Sequence, residues 1–197
     1  NGLIILDENL KFKSKLLDQS IVYDFDWDTN NELIVISSKG LTFFKENEVV
    51  SEISLENTFT DIAISKTNEI YVSNKENGAL IFKENYIQAL TTKNNLLSNK
   101  INTILFDNEN NLWIGSEGDG VSQVITAKFQ AYDKFYGLQN NQVTTLLMDH
   151  NNRLWVGAKS ELDVILIDNK KRKSTTDIIH VSKLFNFKLN NLRSVFE

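Results

Sequence analysis

Several stretches of the chain hold residue types that could do chemistry. Gly115-Ser116-Glu117-Gly118-Asp119-Gly120 has the glycine content of a phosphate cradle and two carboxylates. A phosphate cradle, however, needs a helix after the glycines, with its N-terminus facing the anion. The residues that follow, Val121 to Thr126, read as a strand. Asp107-Asn108-Glu109-Asn110-Asn111 has the oxygen-rich look of a calcium loop, but Leu112 stands at its sixth position and Gly118 at its twelfth, where a Gly and a Glu belong. A solvated hairpin turn accounts for it without a metal. The two histidines, His150 and His180, fall in no nucleophile–base or HExxH pattern. Lys170-Lys171-Arg172-Lys173 is the one basic run and is read as a solvated hairpin tip. No catalytic set, no metal site and no cofactor is expected.

The elements around these residues explain them better than any ligand does. Ile101 to Phe106 is rich in strand formers, and Asp107 to Asn111 is a run of turn formers that bond their own backbone. Leu112 to Ile114 is apolar without a break, as in a strand covered on both faces. Glycines then permit a reversal. The chain repeats this unit. Leu112-Trp113-Ile114-Gly115-Ser116 matches Leu154-Trp155-Val156-Gly157-Ala158 at an offset of 42 residues. Ile70-Tyr71-Val72-Ser73 lies 42 residues before Leu112, and Leu33 to Ser37 begins 37 before Ile70. Gly2, Gly40, Gly78 and Gly120 keep the same time, at spacings of 38, 38 and 42.

A period of about 40 residues built from short strands predicts an all-β fold, a β-propeller of four-stranded antiparallel blades. The blades are expected over residues 19–56, 57–92, 100–134 and 142–188, with partial blades at 1–18 and 190–197. In the last full blade the fourth strand is placed at Asp177 to Phe187, and Leu162 stands where the repeat calls for glycine. Leu192 to Glu197 reads as the first strand of a further blade. The chain is thus expected to be one partial propeller domain of a longer protein, with about 40 residues per further blade. Trp113 and Trp155 are expected to pack between blades, and truncating Trp155 to Ala to cost about 3–5 kcal/mol.

Composition narrows the class. At 197 residues and 41% hydrophobic residues the chain is globular. It has no cysteine, which excludes disulfides and thiolate metal sites. A net charge of −5 and a pI of about 5.2 argue against a nucleic-acid partner. No apolar run is long enough to span a membrane, so no direct membrane contact is expected. The absence of proline leaves Asn, Asp, Gly and Ser to make the turns.

The stretch Val143 to Gly157, and Ile101 to Gly120 with its Asn111-Leu112-Trp113-Ile114-Gly115 core, resemble the two-component regulator propeller repeat. The linkers Asn95-Leu96-Leu97-Ser98-Asn99 and Gly137-Leu138-Gln139-Asn140-Asn141 resemble its spacer. The two upstream copies, around Val35-Ile36-Ser37 and Val72-Ser73, lack its tryptophan and glycine.

The resemblance implies the periplasmic sensor region of a hybrid two-component histidine kinase of the Bacteroidetes type. It implies export and a carbohydrate ligand. Two seven-bladed propellers, an immunoglobulin-like domain, a membrane helix and a kinase usually make up such a protein. The implied partners are an oligosaccharide, the remaining blades and downstream signalling domains, and a second copy as a homodimer. The alternative is an exported scaffold or docking propeller, such as a secretion-system surface component without a kinase. A propeller lyase or hydrolase is the third reading, and no residue set supports it.

Loops joining second to third strands, and one blade to the next, emerge on one face. Loops on a rigid scaffold carry binding residues. The ligand-binding candidates are therefore Asn94, Asn95, Glu117, Asp119, Tyr136, Gln139, Asn140 and Lys159.

Overall fold

The computed structural model describes residues 2–56, 58–83, 86–94, 96–125, 128–167, 178–186, 189 and 192–195. The strands follow the repeat. β1 (Leu3–Leu6) and β2 (Phe12–Leu16) pair with each other. β3 (Val22–Trp27), β4 (Leu33–Ser37), β5 (Gly40–Lys45) and β6 (Glu48–Ser54) make the first four-stranded sheet. β7 (Phe59–Ile64), β8 (Ile70–Asn74), β9 (Gly78–Lys83) and β10 (Tyr86–Leu90) make the second. β11 (Ile101–Phe106), β12 (Leu112–Ser116), β13 (Gly120–Ile125) and β14 (Lys128–Tyr132) make the third. β15 (Val143–Met148), β16 (Arg153–Ala158), β17 (Glu161–Leu166) and β18 (Ile178–His180) make the fourth. Every sheet is an antiparallel meander in chain order. The first strands lie side by side, β3 against β7, β7 against β11 and β11 against β15, so the sheets fan out like blades. They do not close into a ring.

The four sheets share one register although two lack the tryptophan and glycine. Each first strand carries a bulge after its opening residue, and the residue that follows it pairs with the same place on the second strand: Asp24 with Ile36, Asp61 with Ser73, Thr103 with Gly115, Thr145 with Gly157. A bulge that recurs at one place in every repeat is a built feature.

The turns explain the abundance of Asp and Asn. Asp107 accepts the backbone N–H groups of Glu109 at 2.9 Å and Asn111 at 2.8 Å through Oδ1. Its Oδ2 accepts from Asn111 Nδ2 at 3.0 Å and Trp113 Nε1 at 2.9 Å. Both oxygens are taken by N–H donors, so this run is a hydrogen-bonded turn. Asp28 and Asp149 make the same backbone pair, and Ser65 does so with its hydroxyl. Asn31, Asn68, Asn110 and Asn152 take the left-handed position, with φ between 57° and 67°. Asparagine is among the few side chains that accept that conformation.

The core lies between the sheets. One cluster joins Trp113 and Val121 of the third sheet to Leu146, Leu154 and Val156 of the fourth. Another joins Ala79 and Ile81 to Ile101, Ile104 and Ile114. A third joins Ile34 and Ile36 to Phe59, Ile62 and Val72. The close approach needs Gly115, where an added Cβ would lie 2.6 Å from Val143 Cγ1 and 2.7 Å from Thr103 Cγ2.

Three expectations change. The fourth strand of the last sheet is not the long strand Asp177 to Phe187. It ends at His180, and Val181–Leu184 is a helical turn; residues 177, 187 and the basic run 170–173 lie outside the described residues. The glycine position of that sheet is also held by Glu161 and not Leu162, since Ala158 pairs with Glu161 as Ser116 pairs with Gly120. One cause explains both. In the other sheets a fourth-strand carbonyl, such as that of Tyr132, lies 2.1 Å from where a Cβ would be, and only glycine fits. β18 pairs no closer to that turn than Asp163, so a side chain at Glu161 is accommodated and bonds Ser182 Oγ at 2.9 Å. Third, residues 192–195 form no strand, although Leu192 lies against the last sheet and its carbonyl accepts from Thr144 Oγ1 at 2.6 Å.

Trp155 differs from Trp113. Trp113 is fully buried, whereas Trp155 is half-buried beneath the Arg153 guanidinium, 5.7 Å from its ring. Trp113→Ala is therefore expected to cost about 3–5 kcal/mol and Trp155→Ala less than half of that; chemical denaturation of the two variants measures the difference. Asp149 adds a pH term. Burial alone would raise its carboxyl, but hydrogen bonds from Trp155, the Arg153 N–H and guanidinium, and the Asn151 N–H outweigh it and hold the group at about 2. A depressed carboxyl stabilises the fold above its unfolded value of 3.8, and that contribution is lost as pH falls toward 2. Asp149→Asn should flatten the acid limb of a pH–denaturation profile.

Candidate functional site

Second-to-third-strand turns and blade-to-blade connections do share one end of the fan. Gly118 and Gly120 both donate to the Asn141 carbonyl, at 2.9 and 3.1 Å, and Glu117 bridges to Gln142. Glu117 and Asp119 are exposed in the turn before β13, beside the connection that carries Asn140. Asn140 Oδ1 caps the Gln142 N–H at 3.0 Å. Tyr136 ends a helical turn, Lys134–Tyr136, started by Asp133. Its ring is 40% exposed and meets Phe135 edge-on at 5.1 Å.

The other candidates are engaged or set apart. Gln139 is committed inward. Its amide bonds Asp163 Oδ1 at 2.8 Å and Ser182 Oγ at 2.9 Å, and its N–H bonds Asp163 Oδ2 at 2.8 Å. The fully buried Asp163 also holds His180 Nδ1 at 2.8 Å. This network ties the connection to β17 and β18. Lys159 is exposed in the turn before β17, where its carbonyl accepts the Leu192 N–H. Asn94 closes the turn Thr92–Asn94 on the preceding connection, and Asn95 lies outside the described residues.

A second polar surface is the groove along the first strands. Tyr23, Thr60, Asn102 and Thr144 are the bulge residues of β3, β7, β11 and β15. The last three reach across to the next repeat. Thr60 Oγ1 donates to the Ile101 carbonyl at 3.0 Å, Asn102 Nδ2 to Val143 at 2.6 Å and Thr144 Oγ1 to Leu192. Beneath them, Asp24 and Asp61 accept the backbone N–H groups of Ile62 at 3.2 Å and Ile104 at 2.8 Å. These residues and Arg193 line a cavity of about 300 Å³, and a neighbouring one of about 560 Å³ adds Lys75 at the mouth. Burial, then the bond and charge of Asp24, raise the Asp61 carboxyl well above its ordinary value, with Thr103 and the Ile104 N–H acting in the other direction.

The groove was not among the loop candidates, yet the sequence carries a signal for it. Tyr23-Asp24, Thr60-Asp61, Asn102-Thr103 and Thr144-Thr145 are polar pairs at the second and third places of strands that are otherwise mostly apolar. Replacing one bridging side chain removes a hydrogen bond across the seam. Asn102→Leu is expected to destabilise the fold by about 1–3 kcal/mol, measured as a lower denaturation midpoint.

No curated protein sequence matches the chain. Among solved structures, the extracellular domain described as that of a hybrid two component system from B. thetaiotaomicron has a TM-score of 0.74 at 18% identity, over 98% of this chain and 26% of that one. The extracellular domain of a one component system from the same organism gives 0.67 at 14% identity, over 91% of this chain and 28% of that one. Virginiamycin B lyase from Staphylococcus aureus gives 0.68 at 13% identity, over 87% of this chain and 61% of that one. The chain thus spans about a quarter of the first two, at 26% and 28%. The fold is that of a β-propeller, present as an open run of blades. The two component regulator propeller family profile matches residues 95–118 and 137–160, and the chain carries two copies of that repeat there.

Proposed function

We propose that this chain is the ligand-sensing part of an exported two-component sensor, and that it is itself no enzyme. The match of its third and fourth blades to the two component regulator propeller carries the reading. The similar extracellular domains of two component and one component systems support it and are the reason to place the chain outside the cytoplasm. No helix among the described residues is long and apolar enough to cross a membrane.

The ligand class follows from the same reading. Carbohydrates are recognised through hydroxyls, which want paired donors and acceptors together with a ring to stack on. Glu117, Asp119 and Asn140 with the Tyr136 ring offer that set at the loop end. Asn94, Gln139 and Lys159 are further proposed contacts, with Gln139 acting through the connection it anchors, and Asn95, outside the described residues, is proposed on the sequence alone. The remaining blades, the signalling domains and a second copy are the proposed protein partners.

The lyase likeness is the ground for an alternative, enzymatic reading. A histidine-to-alanine variant of that lyase is catalytically inactive. Here His150 sits in a turn beside Asn151 and His180 is held by Asp163, and neither lines the groove. A docking propeller without a kinase is the other outcome.

Calorimetric titration of the intact protein with an oligosaccharide panel tests the proposal. At least one saccharide is expected to bind, and Asp119→Ala to weaken it about tenfold, the equivalent of ~1.4 kcal/mol. If the whole panel is silent while a protein partner binds this end, the sensing role is wrong and the docking role stands.

A further inference from the structure

Two carboxyl groups converge on a single backbone proton at the seam between the first two four-stranded sheets. The Ile62 N–H lies 3.2 Å from Asp24 Oδ2, on β3, and 2.9 Å from Asp61 Oδ1, on β7. The second Asp61 oxygen is taken by the Ile104 N–H at 2.8 Å. Both side chains therefore crowd the same backbone group from opposite sides of the seam. Asp24 is left with a share of the Ile62 N–H, which is poor compensation for a second negative charge beside Asp61. Carboxylates forced to share a site resolve the conflict when one of them keeps its proton.

The surroundings do not supply a better solution. Asp26, the next charged residue of β3, adds to the negative charge. Its Oδ2 is bound by the Ile64 N–H at 2.9 Å, so it forms a second contact across the same seam. Thr103 of β11 lines the same cavity as Asp61. Tyr23 lines the cavity beside Asp24. Arg193 is the one cation among the described residues lining that cavity, and its side chain is exposed. At the next seam Asp61 accepts the Ile104 N–H beside Thr103, and among the described residues lining the cavity no carboxyl of β11 or β15 meets it there.

We infer that Asp61, which shares the Ile62 N–H with Asp24, holds a proton at neutral pH and forms a clasp across the seam between β3 and β7 that opens when the proton leaves. The clasp joins two sheets whose first strands share no backbone ladder. With the proton present, both carboxyls keep their backbone contacts. Without it, two negative charges face each other across the seam. The direction of the pH effect follows. Asp61 is raised by burial and by Asp24, so the clasp stabilises fully below the unfolded carboxyl value of 3.8. Its contribution is lost as pH rises through the shifted value, the reverse of the behaviour of Asp149.

Infrared spectroscopy of the intact protein at neutral pH tests this, combined with denaturation midpoints from acid to alkaline pH. A protonated-carboxyl band is expected in the wild type, disappearing at alkaline pH along with part of the stability. Asp61→Asn, whose amide replaces the protonated carboxyl, should lose the band and resist the alkaline decline. Asp26→Asn should keep the band. A wild-type spectrum with every carboxyl ionised at neutral pH would overturn the inference, whether or not the variants fold. An Asp61→Asn protein with the wild-type band and the wild-type alkaline slope would overturn it equally.

Discussion

The first strand of every blade has a bare edge, and the rest of the structure depends on how that edge is satisfied. A strand at the edge of a sheet exposes a row of unpaired N–H and C=O groups. In a fan of blades these edges face the next blade at the centre, where they are drawn in from solvent. Backbone polar groups withdrawn from water must find partners. Here side chains supply them. Thr60, Asn102 and Thr144 donate to a carbonyl at the next seam, while Asp24, Asp26 and Asp61 accept an N–H. The bulge makes this possible, because it adds one residue to the strand and turns that residue's side chain sideways.

Polar stitching at the centre and apolar packing farther out divide the labour. The hydrophobic clusters each draw on two neighbouring blades, so no blade has a core of its own. Such a unit gains stability only by stacking. Stacking in turn demands small residues where backbones approach, as at Gly115 and Gly157, whose missing side chains admit Val143 and Leu192. It also demands anchored turns at the far end. There the ladder continues: Asn68 accepts from Thr29, Asn110 from Lys66 and Asn152 from Asn108, each reaching one repeat along the chain. Blades are thus joined at the centre, through their faces and at their outer turns.

This explains what was legible in the sequence. Strand positions, register and the repeat are set by local patterns, an Asp, an Asn and an apolar run, and these read directly from residue order. The misread parts depend on a neighbour. Glu161 in place of glycine is tolerated because β18 pairs no closer to the turn than Asp163, and the segment after β18 is bonded to Gln139, some forty residues earlier, a contact that no local pattern announces. Trp155 shares the motif of Trp113 but lacks a full cover over its ring. The loop face was legible because turns advertise themselves. The groove was obscured because its polar residues sit inside strands, where an isolated Thr or Asp passes for an ordinary strand residue.

The same residue type therefore does opposite things at the two ends of a blade. Asp149 sits in a turn whose N–H groups, an indole and a guanidinium all point at it, so its negative charge is solvated by the protein and its proton is easily lost. Asp61 is drawn into the seam, where it shares the Ile62 N–H with Asp24, so burial and the neighbouring carboxyl raise it well above its ordinary value. Donor supply decides between them, and topology sets donor supply. A tight turn bends several N–H groups toward one point, whereas a strand edge offers one N–H for every two residues. An acid placed at the turn end strengthens a single blade. An acid placed on the inner edge acts on the seam, and it can respond to pH there because the edge is too poor in donors to hold two charges.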